Sequence, residues 1–570
     1  MNIIKSKRKA MVLILSFFII VILIISGGAA IWKGIYERNT TIRNRLETEA
    51  LYLAEAAVEQ VSYNLAYKVA NYVAEPTGSS DFFNLSDLTG TLANYLSSGY
   101  TVQYSCRSLD LEQASADALG ISTFSRHYLV TATITHPDYD ISVTVNQTIA
   151  RHKTYTFQHA VFYVDDLEML PGASMTLSGR VHSNSSVYVG THNTFTLNTN
   201  YFHSAEDIYY HRKDDGTTLG GSVRILVNGT TDYELMKKPA EVALDSNRDD
   251  WYSESQLRWL GTVASSEHGV TARAAPVIES IQPDSFFSTT AQNAGMQITR
   301  NSDGTYTIYH KGSTISSTDL PGGTITESSF QDNREGKIVS VTNIDIQKLN
   351  QREEFTDLNS NESYDAGESY IDANGNGEYD PSYFPSGEII YATRVDSSSA
   401  QPNGIRIVNG SELNGPVTIV SNNPVYVQGD YNNINKKGSA VIADAINILS
   451  NNWNDGISSF SSRNATSTSV NAAFITGIVP TPDGGGTYSG GLENYPRLHE
   501  NWTNDTLQIR GSFVELWESD IAQGSWLYGS PRYTAPVRNW DYDTGFNDPN
   551  NLPPYTPCAV EIERVAWSSS

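Results

Sequence analysis

Ala10–Trp32 runs for 23 residues without a charged side chain. As a helix rising about 1.5 Å per residue, it reaches roughly 34 Å, enough to cross the hydrocarbon core of a bilayer. Whatever the rest of the chain folds into must tolerate this segment at its front. Lys5, Lys7, Arg8 and Lys9 precede it, which reads as N-terminus inside and bulk of the chain outside. Lys33, Arg38, Arg43 and Arg45 follow and weaken that bias. The alternative is a secretory signal peptide, with Ser26-Gly27-Gly28-Ala29-Ala30 as a small-residue cleavage site. The run is longer than a usual signal core, so retention as an anchor is the expectation.

No Pro or Gly interrupts Ile35–Glu75, so the apolar helix is expected to continue as one rod ending near Glu75-Pro76. Within it, Ala50, Leu53, Ala54, Ala57, Val58, Val61 and Leu65 recur at three and four residues. They form one helical stripe with Glu55 and Glu59 opposite, a face built to pack on a following domain.

A short basic leader, an apolar helix and the small-residue segment "LYLAEAAVEQ" together resemble the N-terminus of PilX-type type IV pilus assembly proteins over about the first seventy residues. The resemblance implies a helix whose first half lies in the membrane before assembly and in a filament core afterwards. Its second half would pack against a β-sheet head. The chain departs from the major-pilin pattern: Lys9-Ala10-Met11 stands where a Gly would precede the apolar run, and Ile14 and Leu15 stand where a Glu is kept. An anchored or accessory role is therefore expected. Pilin or pseudopilin subunits are the implied partners, and a bacterial inner membrane with the ectodomain in the periplasm or on the surface is the implied location.

Tyr100–Ser105, Tyr128–Ile134 and Ile141–Val145 alternate apolar and polar residues as half-buried strands do, and "HPDYD" at His136–Asp140 supplies a turn between the last two. From about Tyr155 the texture changes. "VFYVDDLEMLPGASMTLSGRVHSNSSVYVG", "GIRIVNGSELNGPVTIVSNNPVYVQGDYNN" and "SAVIADAINILSNN" string very short strands between Gly, Asn and Ser. Short strands without amphipathic helices between them suggest stacked rungs of a parallel β-solenoid, with a β-sandwich as the alternative. Between the first two of these stretches, "DDWYSESQLRWLGTV" suggests a short helix and "MQITRNSDGTYTIYHKGS" a hairpin turning at Asp-Gly. The C-terminal segments "NPVYVQGDYN", "AVIADAINILSNNWND", "YSGGLENYPRLHENW" and "LPPYTPCAVEIERVAW" resemble the β-rich region of uncharacterised bacterial surface proteins that follows a PilX-like N-terminus.

The expected fold is mainly β with a long N-terminal α-helix: a pilin-like α+β head followed by a β-solenoid-like body. Its divisions are a leader at 1–9, a transmembrane helix at 10–32, an amphipathic extension at 33–75, the head at 76–154, the first part of the body at 155–350, tandem loops at 351–383 and the second part of the body at 384–570.

The loops carry the most explicit chemistry. "EFTDLNSNESYDAGESYIDANGNGEYDP" repeats with a period of fifteen: Phe355 matches Tyr370, Asp357 matches Asp372, Tyr364 matches Tyr379 and Asp365 matches Asp380. Asp357, Asn359, Asn361, Ser363, Asp365 and Glu368 stand at positions one, three, five, seven, nine and twelve of an EF-hand-like Ca2+ loop, with Glu362 where a turn Gly is usual. The second copy offers Asp372, Asn374, Asn376, Glu378 and Asp380, keeps its turn glycine at Gly377, and has Tyr383 at position twelve. Oxygens alternate because a chain wrapping a hard cation turns every second side chain inward. Tyr364, Ile371 and Tyr379 are expected to pack the two loops together. Flanking helices are not evident, so a structural calcium site is expected rather than a switching one.

With 38 basic against 63 acidic residues the net charge is −25, which disfavours nucleic acid as a partner. The two cysteines, Cys106 and Cys558, exclude a disulfide-dense scaffold and leave one bridge or two free thiols. No HExxH, nucleophile elbow or phosphate loop is present. Glu493, Arg497, His499, Glu500 and Trp502 crowd together, read here as a polar brace rather than acid/base machinery. A calcium-dependent polysaccharide lyase is the enzyme alternative, but only Arg352 lies near the loops to act as base. The sequence thus points away from an enzyme and toward a structural or adhesive surface protein, with a glycan or other surface ligand as a further partner. A pilus-independent adhesin is the alternative.

Overall fold

The computed structural model describes residues 2–70, 99–117, 120–276, 291, 293–353, 355–358, 364–372, 377, 379, 382–482, 487–529 and 532–570. One helix, α1 (Asn2–Ala70), occupies the N-terminus for 69 residues, about 100 Å of helix. Its two halves live in different surroundings. From Arg8 to Thr41 the side chains are exposed apart from a half-buried Val21, and this stretch includes the apolar run. By length and hydropathy, α1 is able to cross a membrane. From Leu46 onward the stripe is buried, with Ala50, Ala54, Ala57 and Leu65 all at 0% exposure.

What buries the stripe is a small antiparallel sheet. β1 (Thr101–Ser108), β2 (Gln113–Ala116), β3 (Ser122–His136) and β4 (Ile141–Tyr155) are its first strands. β3 pairs with β1, β2 and β4, and a turn of 3-10 helix at Pro137–Tyr139 joins β3 to β4. Val130, Ala132 and Ile134 of β3 and Val145 and Ile149 of β4 point at the helix, and all are fully buried with the stripe in one cluster. The alternation read from the sequence is this inward row. Small residues on α1 let its backbone come close to the sheet, and each buried Leu or Val contributes about 1.5–3 kcal/mol.

After β4 the chain enters coils of three short strands. The first coil is β5 (Val161–Tyr163), β6 (Leu167–Met169) and β7 (Met175–Ser178). The second is β8 (Val181–Ser183), β9 (Val187–Val189) and β10 (Thr194–Asn198). The third is β11 (Phe202–Ser204), β12 (Ile208–Tyr209) and β13 (Ser222–Leu226). Each strand lies parallel to its equivalent one coil on: Val161 is level with Val181 and Val181 with Phe202, Leu167 with Val187 and Val187 with Ile208, Met175 with Phe195 and Phe195 with Val223. Five of these six steps are twenty or twenty-one residues, and the last, Phe195 to Val223, is twenty-eight. Strands this short leave two or three apolar positions per face, and Val, Leu, Ile, Phe and Met replace one another there.

β14 (Tyr233–Leu235), helix α2 (Trp251–Trp259) and β15 (Val263–Ala264) close this end. α2 is the expected short helix. β16 (Ala294–Arg300) and β17 (Tyr306–His310) form the expected hairpin, turning at Asp303-Gly304 with Gly304 at φ +89°, and β18 (Ser313–Ile315) adds to β17. β19 (Ile325–Asp332) pairs antiparallel with β20 (Lys337–Asp345). From there successive strands alternate between two sheets. β21 (Glu388–Arg394), β23 (Val417–Ser421), β25 (Ser439–Ala443), β27 (Thr468–Ile478) and β29 (Thr506–Glu518) belong to one. β22 (Gly404–Val408), β24 (Val425–Gln428), β26 (Ile446–Leu449) and β28 (Pro496–Leu498) join β20 in the other. The pairings between coils are parallel, which an antiparallel sandwich does not produce.

The two stacks meet out of sequence order. β29 pairs with β5, Phe513 level with Val161, and β30 (Val537–Tyr542) pairs with both β29 and β7. The body thus begins in its own middle. One row of side chains crosses the junction: Met296, Ile390, Ile419, Val441, Phe474, Phe513, Val161, Val181, Phe202 and Val263 are successive register partners, and each is at most 1% exposed. Ten strands at about 4.8 Å spacing carry this apolar column across roughly 43 Å.

The last strand leaves the body. β31 (Cys558–Ser569) pairs antiparallel with β4 and completes the head sheet in the order β1-β3-β4-β31, with β2 on β3. The division at 384–570 puts these residues with the body; their hydrogen bonds put them in the head, because β4 otherwise has an open edge. Arg564 of β31 reaches Glu59 of α1 at 2.7 Å. Cys106 is level with Val130, Val130 with Gln147 and Gln147 with Trp567, so Cys558 lies nine residues along β31 from that level, about 30 Å away. Both cysteines are buried, and no disulfide joins them. The bridge left open by the sequence is not formed.

Candidate functional site

Two elements carry the functional expectations: the half-exposed helix and the tandem acidic loops. On α1 the sequence stripe is the buried face, Glu55 is half-buried and Glu59 is exposed. Tyr100 locks the helix to the sheet from the other side, its hydroxyl donating to Glu49 at 3.1 Å. The result is a head fixed to the second half of a helix whose first half has no protein cover among the described residues.

The loops form an excursion with a closed neck. The Tyr383 N–H donates to the Gln351 carbonyl at 3.1 Å, and the Ser382 hydroxyl to the Leu349 carbonyl at 3.1 Å. Inside, the two copies face each other through an antiparallel bridge between Phe355 and Tyr370, and the Thr356 N–H donates to the Ser369 carbonyl at 2.8 Å. Tyr364 and Tyr379 stack, centroids 4.2 Å apart with planes 19° apart, and Phe355 and Tyr370 meet them edge-on. The matched aromatic positions of the repeat therefore pack the copies together, as expected for Tyr364 and Tyr379. Ile371 does not join them: it is 60% exposed, since the four rings already fill the contact.

Of the eleven expected ligands, Asp357, Asp365, Glu368 and Asp372 lie among the described residues. Asn359, Asn361, Ser363, Asn374, Asn376, Glu378 and Asp380 lie outside them. Glu368 is buried, and its two oxygens accept from the backbone N–H groups of Leu358 at 2.8 Å and Asp365 at 3.0 Å. That brings position twelve of the first copy back against its start. In the second copy the Gly377 N–H donates to Asp372 at 2.8 Å, which curls that loop onto its first carboxylate. Tyr383 belongs instead to the body core, with its carbonyl hydrogen-bonded to buried His310. Among the described residues no group of three or more His, Cys, Asp or Glu is arranged to hold a metal ion.

The crowded Glu493–Trp502 segment is dispersed by the fold. Glu493 accepts from the Leu170 N–H at 3.2 Å, Arg497 is paired with Glu335, His499 bonds Asn447 at 2.9 Å, and Glu500 accepts from Ser450 N and Oγ, both at 2.7 Å. Trp502 is fully buried. Burial holds His499 down to about 3 and lifts Glu493 and Glu500 to about 7. These side chains tie neighbouring coils together, as read from the sequence. His182 is likewise internal, stacked 5.7 Å from Phe162.

No protein-family model and no curated protein matches this chain. Among solved structures, the competence-associated pilin ComZ from Thermus thermophilus aligns with 92% of this chain and 97% of its own, at 11% identity and a TM-score of 0.28. At that score the likeness carries no inference.

Proposed function

We propose that this chain is a membrane-anchored surface protein of the type IV pilus or pseudopilus system, a structural or adhesive accessory rather than an enzyme. One observation carries the reading. A single unbroken helix leaves its apolar half bare and packs its small-residue half against a four-strand antiparallel path. A bare apolar helix must be covered by lipid or by equivalent helices, and a rigid continuation into a head is what lets such a helix carry load. The long polar body would then project outward as a solenoid. The alternation of successive strands between parallel sheets and the ten-strand apolar column support that description.

We further propose that the loops at 351–383 bind calcium through Asp357, Asn359, Asn361, Ser363, Asp365 and Glu368, with Asp372, Asn374, Asn376, Glu378 and Asp380 from the second copy. The ion would stiffen an excursion that otherwise rests on four aromatic rings. Surface and periplasmic calcium suits weak sites of this kind.

Fractionation tests the anchor. The chain is expected in the membrane and in sheared surface filaments, with a mature N-terminus near Met11 if processed as a prepilin. Recovery only in the soluble fraction, starting near Ile31, overturns it. Hydrogen exchange tests the ion: amides of 351–383 are expected to gain protection in 1 mM-range calcium, and Glu368→Gln to abolish the gain. Equal exchange with and without calcium refutes that part alone.

A further inference from the structure

The junction of the two stacks holds a cleft of about 580 Å³, within the range of small-molecule sites. Its walls come from both sides of the seam. Tyr163, Asp165, Asp166 and Glu168 belong to the first coil, Lys213 to the third, and Arg334, Tyr488 and Trp526 to the later stack. Segments distant in sequence meet here in a concave surface between the stacks.

Among the buried polar atoms of the lining that have no hydrogen-bond partner among the described residues are Tyr163 OH, Glu168 Oε2, Arg334 Nη1 and Tyr488 OH. All four side chains are more than nine-tenths buried, with exposures of 1%, 4%, 3% and 7%. Leaving a buried polar group unsatisfied is costly, so several in one cleft point to a site whose hydrogen bonds an occupant would complete. Their inventory is mixed: the guanidinium only donates, and the phenols donate and accept. Burial lifts Glu168 to about 7, so near neutral pH its carboxyl can do either. The neighbouring groups are already committed. Lys213 pairs with Asp166 at 2.8 Å, and Asp166 also accepts from Ser185 Oγ at 2.6 Å and Ser186 N at 3.0 Å.

The cleft also has an aromatic flank. Trp526 meets Tyr488 edge-on with centroids 4.9 Å apart, and its indole N–H donates to Tyr533 OH at 3.0 Å, which fixes the ring plane. Arg212 lies 4.7 Å from the Tyr488 ring centroid. The indole seats on Gly490, where a Cβ would stand 2.3 Å from Trp526 Cδ1. Charge narrows the ligand. An anion would face Asp165, Asp166, Glu168 and Glu518. A divalent cation would face Arg334 and Lys213 without three ligating groups among the described residues. What matches mixed donors and acceptors beside a fixed aromatic plane is a neutral polyhydroxyl ring.

We infer that the seam cleft binds a neutral saccharide, with Trp526 stacking on a sugar face and Tyr163, Glu168, Arg334 and Tyr488 hydrogen-bonding its hydroxyls. This deepens the adhesive part of the proposed function and rests on the body facing outward, but not on filament membership. The test uses the full chain in a detergent without a sugar headgroup. Tryptophan fluorescence and calorimetry would follow titration with neutral tetrasaccharides of glucose, galactose, mannose and N-acetylglucosamine, beside tetragalacturonate and calcium chloride. The expected result is saturable binding of at least one neutral sugar, weakened tenfold or more by Trp526→Ala and by the near-isosteric Glu168→Gln. Circular dichroism would check that each variant is folded. Binding of none of the neutral sugars, binding unchanged in either folded variant, or preference for tetragalacturonate overturns the inference. Membrane fractionation fails or succeeds separately from all of these outcomes, so the two readings are distinguishable.

Discussion

Replacing Glu515 by Gln should make the body more stable than the native chain in mild alkali and slightly less stable in mild acid. Glu515 is at 0% exposure in β29. Its Oε2 accepts from the N–H groups of Val164 at 3.0 Å and Asp165 at 3.1 Å, and its Oε1 has no partner among the described residues. Burial above all, with Asp165 and Glu518 adding negative charge nearby, lifts its pKa from 4.5 to about 8. The phenols beside it, Tyr163 and Tyr495, are themselves pushed up and stay neutral. A carboxyl whose folded value exceeds its unfolded one contributes its full stability below the unfolded value and loses it as pH rises through the folded value. A difference of about three and a half units at 1.36 kcal/mol each comes to about 5 kcal/mol, of which about 3 kcal/mol falls between pH 5 and pH 8. Gln keeps an oxygen for the two N–H groups and never ionises, but it leaves an amide N–H₂ unmet at about 1 kcal/mol. Thermal midpoints of both proteins across that pH range should therefore cross, with the variant ahead at the alkaline end. Glu168, Glu493 and Glu500 also rise to about 7, and taking the difference between the two proteins removes their shared contribution. Parallel midpoint curves would refute the assignment of a buried, charge-penalised carboxyl at this position.

Three further outcomes follow from packing. Ala57 is at 0% exposure between α1 and the head sheet, so Ala57→Leu should destabilise the head by about 1–3 kcal/mol in a urea titration. A Cβ on Gly511 would stand 1.7 Å from the Ala472 carbonyl oxygen in the neighbouring strand; Gly511→Ala should cost about 3 kcal/mol or more, read as a lowered urea midpoint or loss of soluble expression. Neither Cys106, whose thiol burial pushes up to about 12, nor Cys558 should react with a thiol reagent in the native protein, and both should react after unfolding without reductant; two unreactive cysteines in the unfolded chain would contradict the strand register.

How far each part was legible depends on how local its cause is. The rod and its stripe could be read residue by residue, because helical periodicity is set by neighbours three and four positions away and Ala50–Leu65 contains nothing to interrupt it. The hairpin at Asp303-Gly304, the turn at Pro137–Tyr139 and the α2 helix were legible for the same reason. The tandem loops showed their alternating oxygens and matched aromatics, and Tyr364 with Tyr379 packs as the repeat implies. Ile371 was misjudged because apolar character alone does not say whether four rings have already closed the contact.

The seam cleft had no sequence signal at all. Glu168 and Trp526 are separated by more than three hundred positions, and only β29 lying against β5 brings their neighbourhoods together. The same holds for the partner of β31, which the sequence placed with the body and which pairs with β4 of the head. Local sequence fixed where helix, turns and short strands begin, because those depend on propensity and spacing within a few residues. The tertiary structure decided which strands became neighbours, because parallel backbone pairing accepts any apolar residue of suitable size and the choice among partners is made by burying all of them at once.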